Sequence, residues 1–267
     1  MSTASEELTT RIRTMLDRLV KSRPLCNEDR EVIADEVAAE ARSFPRDGIL
    51  ESLDKAIGRS KRRREEAVYL LSEWTDSPDV VDRIGEWIND PDPQWRHWLI
   101  ETVGKAGLIE LAPYLNDIIE RDPDEFCQDM AIYAAATLQA VECLPVLLRL
   151  ADEDDPKLTW RLAFALGSYA SEDCRRHLKK WFDDTSLAKS TRVFAAWGLG
   201  KLADQRAIEY LITMLDDPDE CGENYFRHGQ SIRAAKALCD IFGWPFKFSK
   251  SSVAQTKERT RQLKWHA

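Results

Sequence analysis

The 267 residues carry a formal net charge of −9, with 43% apolar and 32% charged, a balance that suits a folded soluble chain and excludes compositional disorder. Only 11 glycines and 11 prolines punctuate the chain, too few for the turns of an all-β fold, and no run of 18 apolar residues is present to cross a membrane. A general nucleic-acid binder is not expected either, because that affinity comes largely from neutralising phosphates.

In chain order, the segment MSTASEELTTRIRTMLDRL is charged throughout and has no apolar stretch of leader length, so a cytoplasmic protein is expected. Residues 6–20, 27–43 and 47–57 read as three helices. From Arg64 a register sets in. Leu71, Val103, Ala135, Leu166 and Leu199 follow one another at intervals of 32, 32, 31 and 33 residues. Four residues before them stand Ala67, Leu99, Ala131, Leu162 and Ala195, and three after them Trp74, Ala106, Leu138, Tyr169 and Leu202. Offsets of three and four place these columns on one helical face.

A second helix follows at a fixed distance. Val80, Leu111, Cys143, Cys174 and Ala207 open it, Ile84, Leu115, Leu147, Leu178 and Leu211 continue it, and Trp87, Ile118, Leu150, Trp181 and Met214 end it. Acidic proline-bearing turns such as NDPDP, RDPDE, EDDPK and DDPDE then separate the hairpins, because Asp before Pro disfavours helix. Five hairpins span Arg64 to Asp217, and Ile232 to Ile241 reads as the first helix of a sixth. The segment CGENYFRHGQ stretches the interval from Leu199 to Leu238 to 39 residues and is read as an inserted loop. Gly243 and Pro245 stop the last regular helix. The basic stretch from Lys247 to Lys264 is expected to close the open end of the array. The domain expectation is therefore capping helices over 1–60, repeats over 61–242 and a capping segment over 243–267.

The stretch AAWGLGKLADQRAIEYLITMLDDPD, from Ala195 to Asp219, resembles HEAT repeats, in particular the short type named after phycobilisome lyases. That resemblance, which covers about residues 64 to 242, implies an all-α, right-handed α-solenoid with its second helices on the concave side. It fixes function weakly, since the wider superfamily holds adaptors, bilin lyase subunits, an iron-dependent hydroxylase and alkylated-base DNA glycosylases.

The chemistry of the residues narrows this range. The hydroxylase type holds iron through His-Glu pairs, and none of His97, His177, His228 or His266 precedes a Glu. No Gly-rich phosphate loop, G-x-S-x-G or H-E-x-x-H occurs, so no catalytic residue, metal or cofactor is assigned. Cys26, Cys127, Cys143, Cys174, Cys221 and Cys239 form no C-x-x-C pair and read as buried reduced thiols. His177 shares a column with Arg83, Tyr114, Val146 and Tyr210 and is expected to be a partly buried side chain filling an aromatic slot with no carboxylate beside it.

The second helices differ mainly on the side facing away from the core. That side carries Val81, Asp82, Gly85 and Glu86 in the first hairpin and Ala112, Pro113, Asn116 and Asp117 in the second. Next come Leu144, Pro145, Leu148 and Arg149, then Arg175, Arg176, Lys179 and Lys180, and last Ile208, Glu209, Ile212 and Thr213. Four like charges on one face, flanked by the exposed aliphatics Leu144, Leu148, Ile208 and Ile212, form the expected partner-binding surface. The reading is a non-enzymatic scaffold or adaptor that holds a segment of a protein partner, an acidic one, in its concave groove. A bilin lyase-like accessory subunit, an immunity protein masking a basic toxin and, with least support, a DNA glycosylase are the alternatives.

Overall fold

A computed structural model describes residues 3–24, 27–218, 229–247 and 249–263. Among these residues every regular element is helical: α1 (Thr3–Ser22), α2 (Asn27–Arg42), α3 (Ile49–Ile57), α4 (Lys61–Ser72), α5 (Pro78–Trp87), α6 (Pro93–Ala106), α7 (Ala112–Arg121) and α8 (Glu125–Leu138) are followed by α9 (Leu144–Glu153), α10 (Thr159–Tyr169), α11 (Glu172–Asp183), α12 (Lys189–Lys201), α13 (Gln205–Met214), α14 (Gln230–Phe242) and α15 (Lys250–Gln262). The five expected hairpins are α4/α5 to α12/α13, the sixth begins with α14, and α15 falls within the basic stretch expected to close the array. Cys26, Cys221, His228, Lys264, His266 and most of the expected insertion CGENYFRHGQ lie outside the described residues. By packing, the chain divides into two compact units, residues 1–134 and 135–267.

Local chemistry sets the helix ends. Pro78, Pro93, Pro113 and Pro145 occupy first-turn positions, where no intrahelical N–H is needed. The Ser60, Asp92 and Asp204 side chains accept from the backbone N–H groups of Arg63, Gln94 and Ala207. First helices of hairpins two to five end on a left-handed residue: Gly107 (φ 75°), Gln139 (φ 50°), Ala170 (φ 46°) and Ala203 (φ 62°). In three of them the next N–H reaches back five residues, from Leu108 to Val103, Ala140 to Ala135 and Asp204 to Leu199, at 3.1, 3.1 and 2.9 Å. This is the Schellman closure, which satisfies a terminal carbonyl and ends the helix.

The expected core columns are buried. Leu71, Val103, Ala135, Leu166 and Leu199 are 0% exposed, as are Ile84, Leu115, Leu147, Leu178 and Leu211. The column three residues further on is a partial correction: Trp74 is fully buried, Leu138, Tyr169 and Leu202 are half-buried, and Ala106 is exposed. Those residues sit in or just past the last helical turn, where the chain leaves the packed layer. In the second unit, a Cβ on Gly198 would come within 2.6 Å of the Gly167 Cα, and one on Gly167 within 2.8 Å of the Phe194 carbonyl, so α10 and α12 touch backbone to backbone. The Ser168 hydroxyl donates to the Ala136 carbonyl at 2.6 Å, and the Tyr169 hydroxyl lies 2.7 Å from the Ala140 carbonyl.

The acidic turns do more than separate hairpins. Asp90 pairs with Arg64 of its own hairpin, and Asp122 pairs with Arg96 through two bonds of 2.7 and 2.9 Å. The Arg96 and Asp122 side chains are 9% and 4% exposed, and Arg96 also donates to the Asp90 carbonyl at 2.8 Å. The carboxylate bond raises the Arg96 pKa above its ordinary value. In the second unit Lys189 holds Asp217 at 2.7 Å in the same manner.

Candidate functional site

Helix α11 is strongly two-sided. Cys174, His177, Leu178, Trp181 and Phe182 are buried, Arg176, Lys179 and Lys180 are exposed, and Arg175 is half-buried. The structure gives three of these cations a carboxylate. Arg175 bonds Glu172 through Nε and Nη2 at 2.6 and 2.7 Å and also reaches the Leu202 carbonyl. Arg176 meets Asp152 at 2.6 Å and Lys180 meets Asp154 at 2.7 Å, both acids standing at the end of α9 or just beyond it. Lys179 makes no ion pair or hydrogen bond with a described residue. The expected stack of mutually repelling charges is thus largely compensated in place.

The flanking aliphatics also need correction. Leu144, Leu148 and Ile212 are half-buried, and Ile208 is only 7% exposed, so none of the four is exposed as expected. Val81, Gly85 and Ala112 on the corresponding side of the first unit are buried as well. The cause is visible at Gly85, where a Cβ would lie 3.2 Å from Leu111 and 3.4 Å from Tyr114 of the next hairpin. A second helix in a repeat array is covered by its neighbours as well as by its own partner helix.

His177 is 4% exposed with its ring centroid 5.8 Å from that of Trp181, as an aromatic slot requires. A carboxylate does stand beside it, however: Asp152 Oδ1 lies 3.6 Å from Nε2, contrary to the sequence expectation. Burial, and then the Arg176 charge, hold its pKa below the usual histidine value. Of the thiols, Cys127 and Cys143 are pushed up by burial to about 12 and about 11, which leaves both protonated and unreactive at neutral pH. Among the described residues no three His, Cys, Asp or Glu side chains group as a metal site, and no helix is long and apolar enough to cross a membrane.

A cleft that sequence reasoning passed over lies in the second unit, between α10, α12 and α14. It encloses about 210 Å³ and is walled by Trp160, Phe164, Phe194 and Trp197, with Arg233, Lys236 and Asp240 contributed by α14. The Phe164 ring stacks on Trp197 at 5.9 Å and meets Phe194 edge-on at 5.3 Å. All four rings are half-buried, off the core columns. The signal was available: Tyr69, Tyr133, Phe164 and Trp197 each stand two residues after the column Ala67, Ala131, Leu162 and Ala195.

Comparison with known proteins adds the following. No curated protein matches the chain. A solved structure of human deoxyhypusine hydroxylase in complex with glycerol is similar at 17% identity, covering 99% of this chain and 99% of that chain, with a TM-score of 0.36. A likeness at that level supports no transfer of activity. The family model for HEAT repeats matches residues 48–136 and 141–221, more than half of the chain and the same hairpins that the 31- to 33-residue register defines, and the protein belongs to the HEAT-repeat family.

Proposed function

We propose that this protein is a non-enzymatic interaction scaffold that takes an acidic partner segment in its concave groove, on the side of α11 that faces away from the core of its hairpin, with Arg175, Arg176, Lys179 and Lys180 as cations and Leu144, Leu148, Ile208 and Ile212 as the apolar surround. One observation carries this reading. The acids that hold Arg176 and Lys180 are themselves more than half exposed, at 54% and 56% of their side chains, and Lys179 beside them pairs with none of the described residues. Exposed ion pairs are weak and exchange partners readily, so an incoming carboxylate can replace Asp152 or Asp154 with little loss. The half-buried aliphatics supply contact area, and the charges fix orientation and speed encounter.

The test uses a fluorescein-labelled peptide of alternating Glu and Leu, followed by anisotropy at low and raised salt. Asp152→Asn with Asp154→Asn frees two cations and is expected to tighten binding several-fold. Arg176→Glu with Lys180→Glu is expected to weaken it at least tenfold, and the affinity should fall with salt. Unchanged affinity in both folded double variants would falsify this placement.

A second reading is favoured by the distribution of charge. Residues 1–134 hold 18 Lys and Arg against 29 Asp and Glu, whereas residues 135–267 hold 20 against 18. The strong negative excess of the first unit suits masking of a basic protein. The two readings separate on the sign of the ligand, since a polylysine peptide should bind and resist both α11 double variants if the first unit is the binding surface.

A further inference from the structure

We infer that α15 is a releasable cap on α14, which lifts away and exposes Cys239 while the rest of the second unit stays folded. The case begins with what the helix buries. Of its apolar side chains only Val253 is buried, and the other buried positions are Ser252, Thr256 and Thr260. By contrast α1 buries Ile12, Met15, Leu16 and Leu19. A helix of 13 residues is marginal by itself in water, so α15 persists by packing, and its packing face is mostly hydroxyl.

Those hydroxyls are satisfied within α15 and its N-cap. Thr256 donates to the Ser252 carbonyl at 2.8 Å and Thr260 to the Lys257 carbonyl at 2.9 Å. Ser249 Oγ accepts from the Ser252 N–H at 3.3 Å and lies 3.1 Å from the Ser252 hydroxyl. These bonds survive release, so lifting the helix orphans none of the three hydroxyls. Side chains of α15 reach the rest of the unit through Thr256 Oγ1, 3.4 Å from Cys239 Sγ, through Arg259 Nη1, 3.4 Å from the Pro245 carbonyl, and through Lys257, 2.6 Å from Asp216. The Lys257 and Asp216 side chains are 32% and 80% exposed, and pairs so open to water contribute little.

Helix α14 has its own supports. Gly243 ends it with a left-handed backbone (φ 66°), and the Trp244 N–H returns to the Cys239 carbonyl at 2.8 Å, so its last turn is closed without α15. It packs on α12 and α13 as well as on α15. Its Ile241 faces α12, since a Cβ on Gly200 would lie 2.5 Å from Ile241 Cδ1. Cys239 stands two residues before Ile241 and therefore on nearly the opposite side of the helix, beneath Thr256. Residues 244–247 are non-helical and form the joint on which α15 would swing. Segments with few buried apolar contacts open at lower free energy than the core they rest on, and α15 is such a segment.

The experiment is a timed iodoacetamide pulse on the full chain under native conditions, read at each cysteine by peptide mass and normalised to the rate in the urea-unfolded chain. Cys174, 0% exposed in the same unit, is the reference, and Cys239, 1% exposed, reports the cap. Cys239 is expected to react at least tenfold faster than Cys174. Val253→Ser should speed Cys239 at least tenfold further and leave Cys174 unchanged. Thr256→Val with Thr260→Val, which exchanges hydroxyl for methyl at the same shape, should slow Cys239 several-fold. Lys257→Ala, on the surface, should speed it about twofold by removing an exposed pair, and it keeps the test readable if a rise at Cys174 shows that Val253→Ser unfolds the unit. Equal normalised rates at Cys239 and Cys174 in the parent chain overturn the inference, because the cap then opens only with the whole unit. So does a Cys239 rate indifferent to the α15 substitutions in folded protein. None of these substitutions lies on α11, so the result is independent of the acidic-segment reading.

Discussion

Arg96→Leu is expected to destabilise the chain by about 3 to 5 kcal/mol, read as a loss in the urea midpoint, because it leaves Asp122 buried and ionised without its partner. The pair is held by two charge-assisted bonds and is almost fully shielded from water. The double variant Arg96→Leu with Asp122→Leu should recover most of that loss, since replacing both members of a buried pair with apolar residues is often close to neutral. A cycle in which the double variant is no better than the single one would mean that the Arg96 bond to the Asp90 carbonyl, and not the ion pair, is the main contribution.

Leu178→Ala is expected to cost about 2 to 5 kcal/mol by leaving a cavity in a core column that is 0% exposed. Its methyl Cδ1 would stand 2.8 Å from a Cβ on Gly198, so the site lies where α11 meets the tight α10–α12 contact and has little freedom to collapse. Leu115→Ala, at the equivalent position of the first unit, should cost a similar amount. Lys179→Ala, one residue along the same helix but exposed, should stay within about 0.5 kcal/mol of the parent. Equal midpoints for Leu178→Ala and Lys179→Ala would show that the 31- to 33-residue register is misaligned.

The register was legible in the sequence because its signal is a volume preference repeated at fixed spacing. Leu71 and Leu199 must be apolar whatever surrounds them. The faces between hairpins were less legible. Ile208 and Val81 point away from the core of their own hairpin, and helical period alone therefore labels them outward; the adjoining hairpin covers them, which a single-hairpin pattern cannot convey. The compensation of α11 was hidden for a related reason. Asp152 and Asp154 lie at the tail of the preceding hairpin, and the left-handed backbone at Asp154 (φ 58°), which turns the tail beside α11, leaves no mark in composition. The Arg64–Asp90 and Arg96–Asp122 pairs were readable in principle, since both span 26 residues, but the third hairpin has Gln128 at the matching position, donating to the Asp122 carbonyl instead, and the repeat of the pattern is lost.

The left-handed joints have a consequence for how far this backbone is from its own optimum. Gly107 adopts that conformation freely, while Gln139, Ala170 and Ala203 hold it with a Cβ in the way, at a cost of about 1 to 2 kcal/mol each. Glycine at Ala170 or Ala203 relieves that strain and loses about 0.5 to 1 kcal/mol of chain entropy in return, so a modest rise in melting temperature is the expected net result. Because the closing bonds at both joints, Asp204 N–H to the Leu199 carbonyl and Ala170 N–H to the Leu166 carbonyl, are made by the backbone, the exchange removes a methyl group and no hydrogen bond. The array can therefore be stabilised at its joints independently of whatever it binds, and the gain that each joint shows on substitution by glycine gauges the strain it carries.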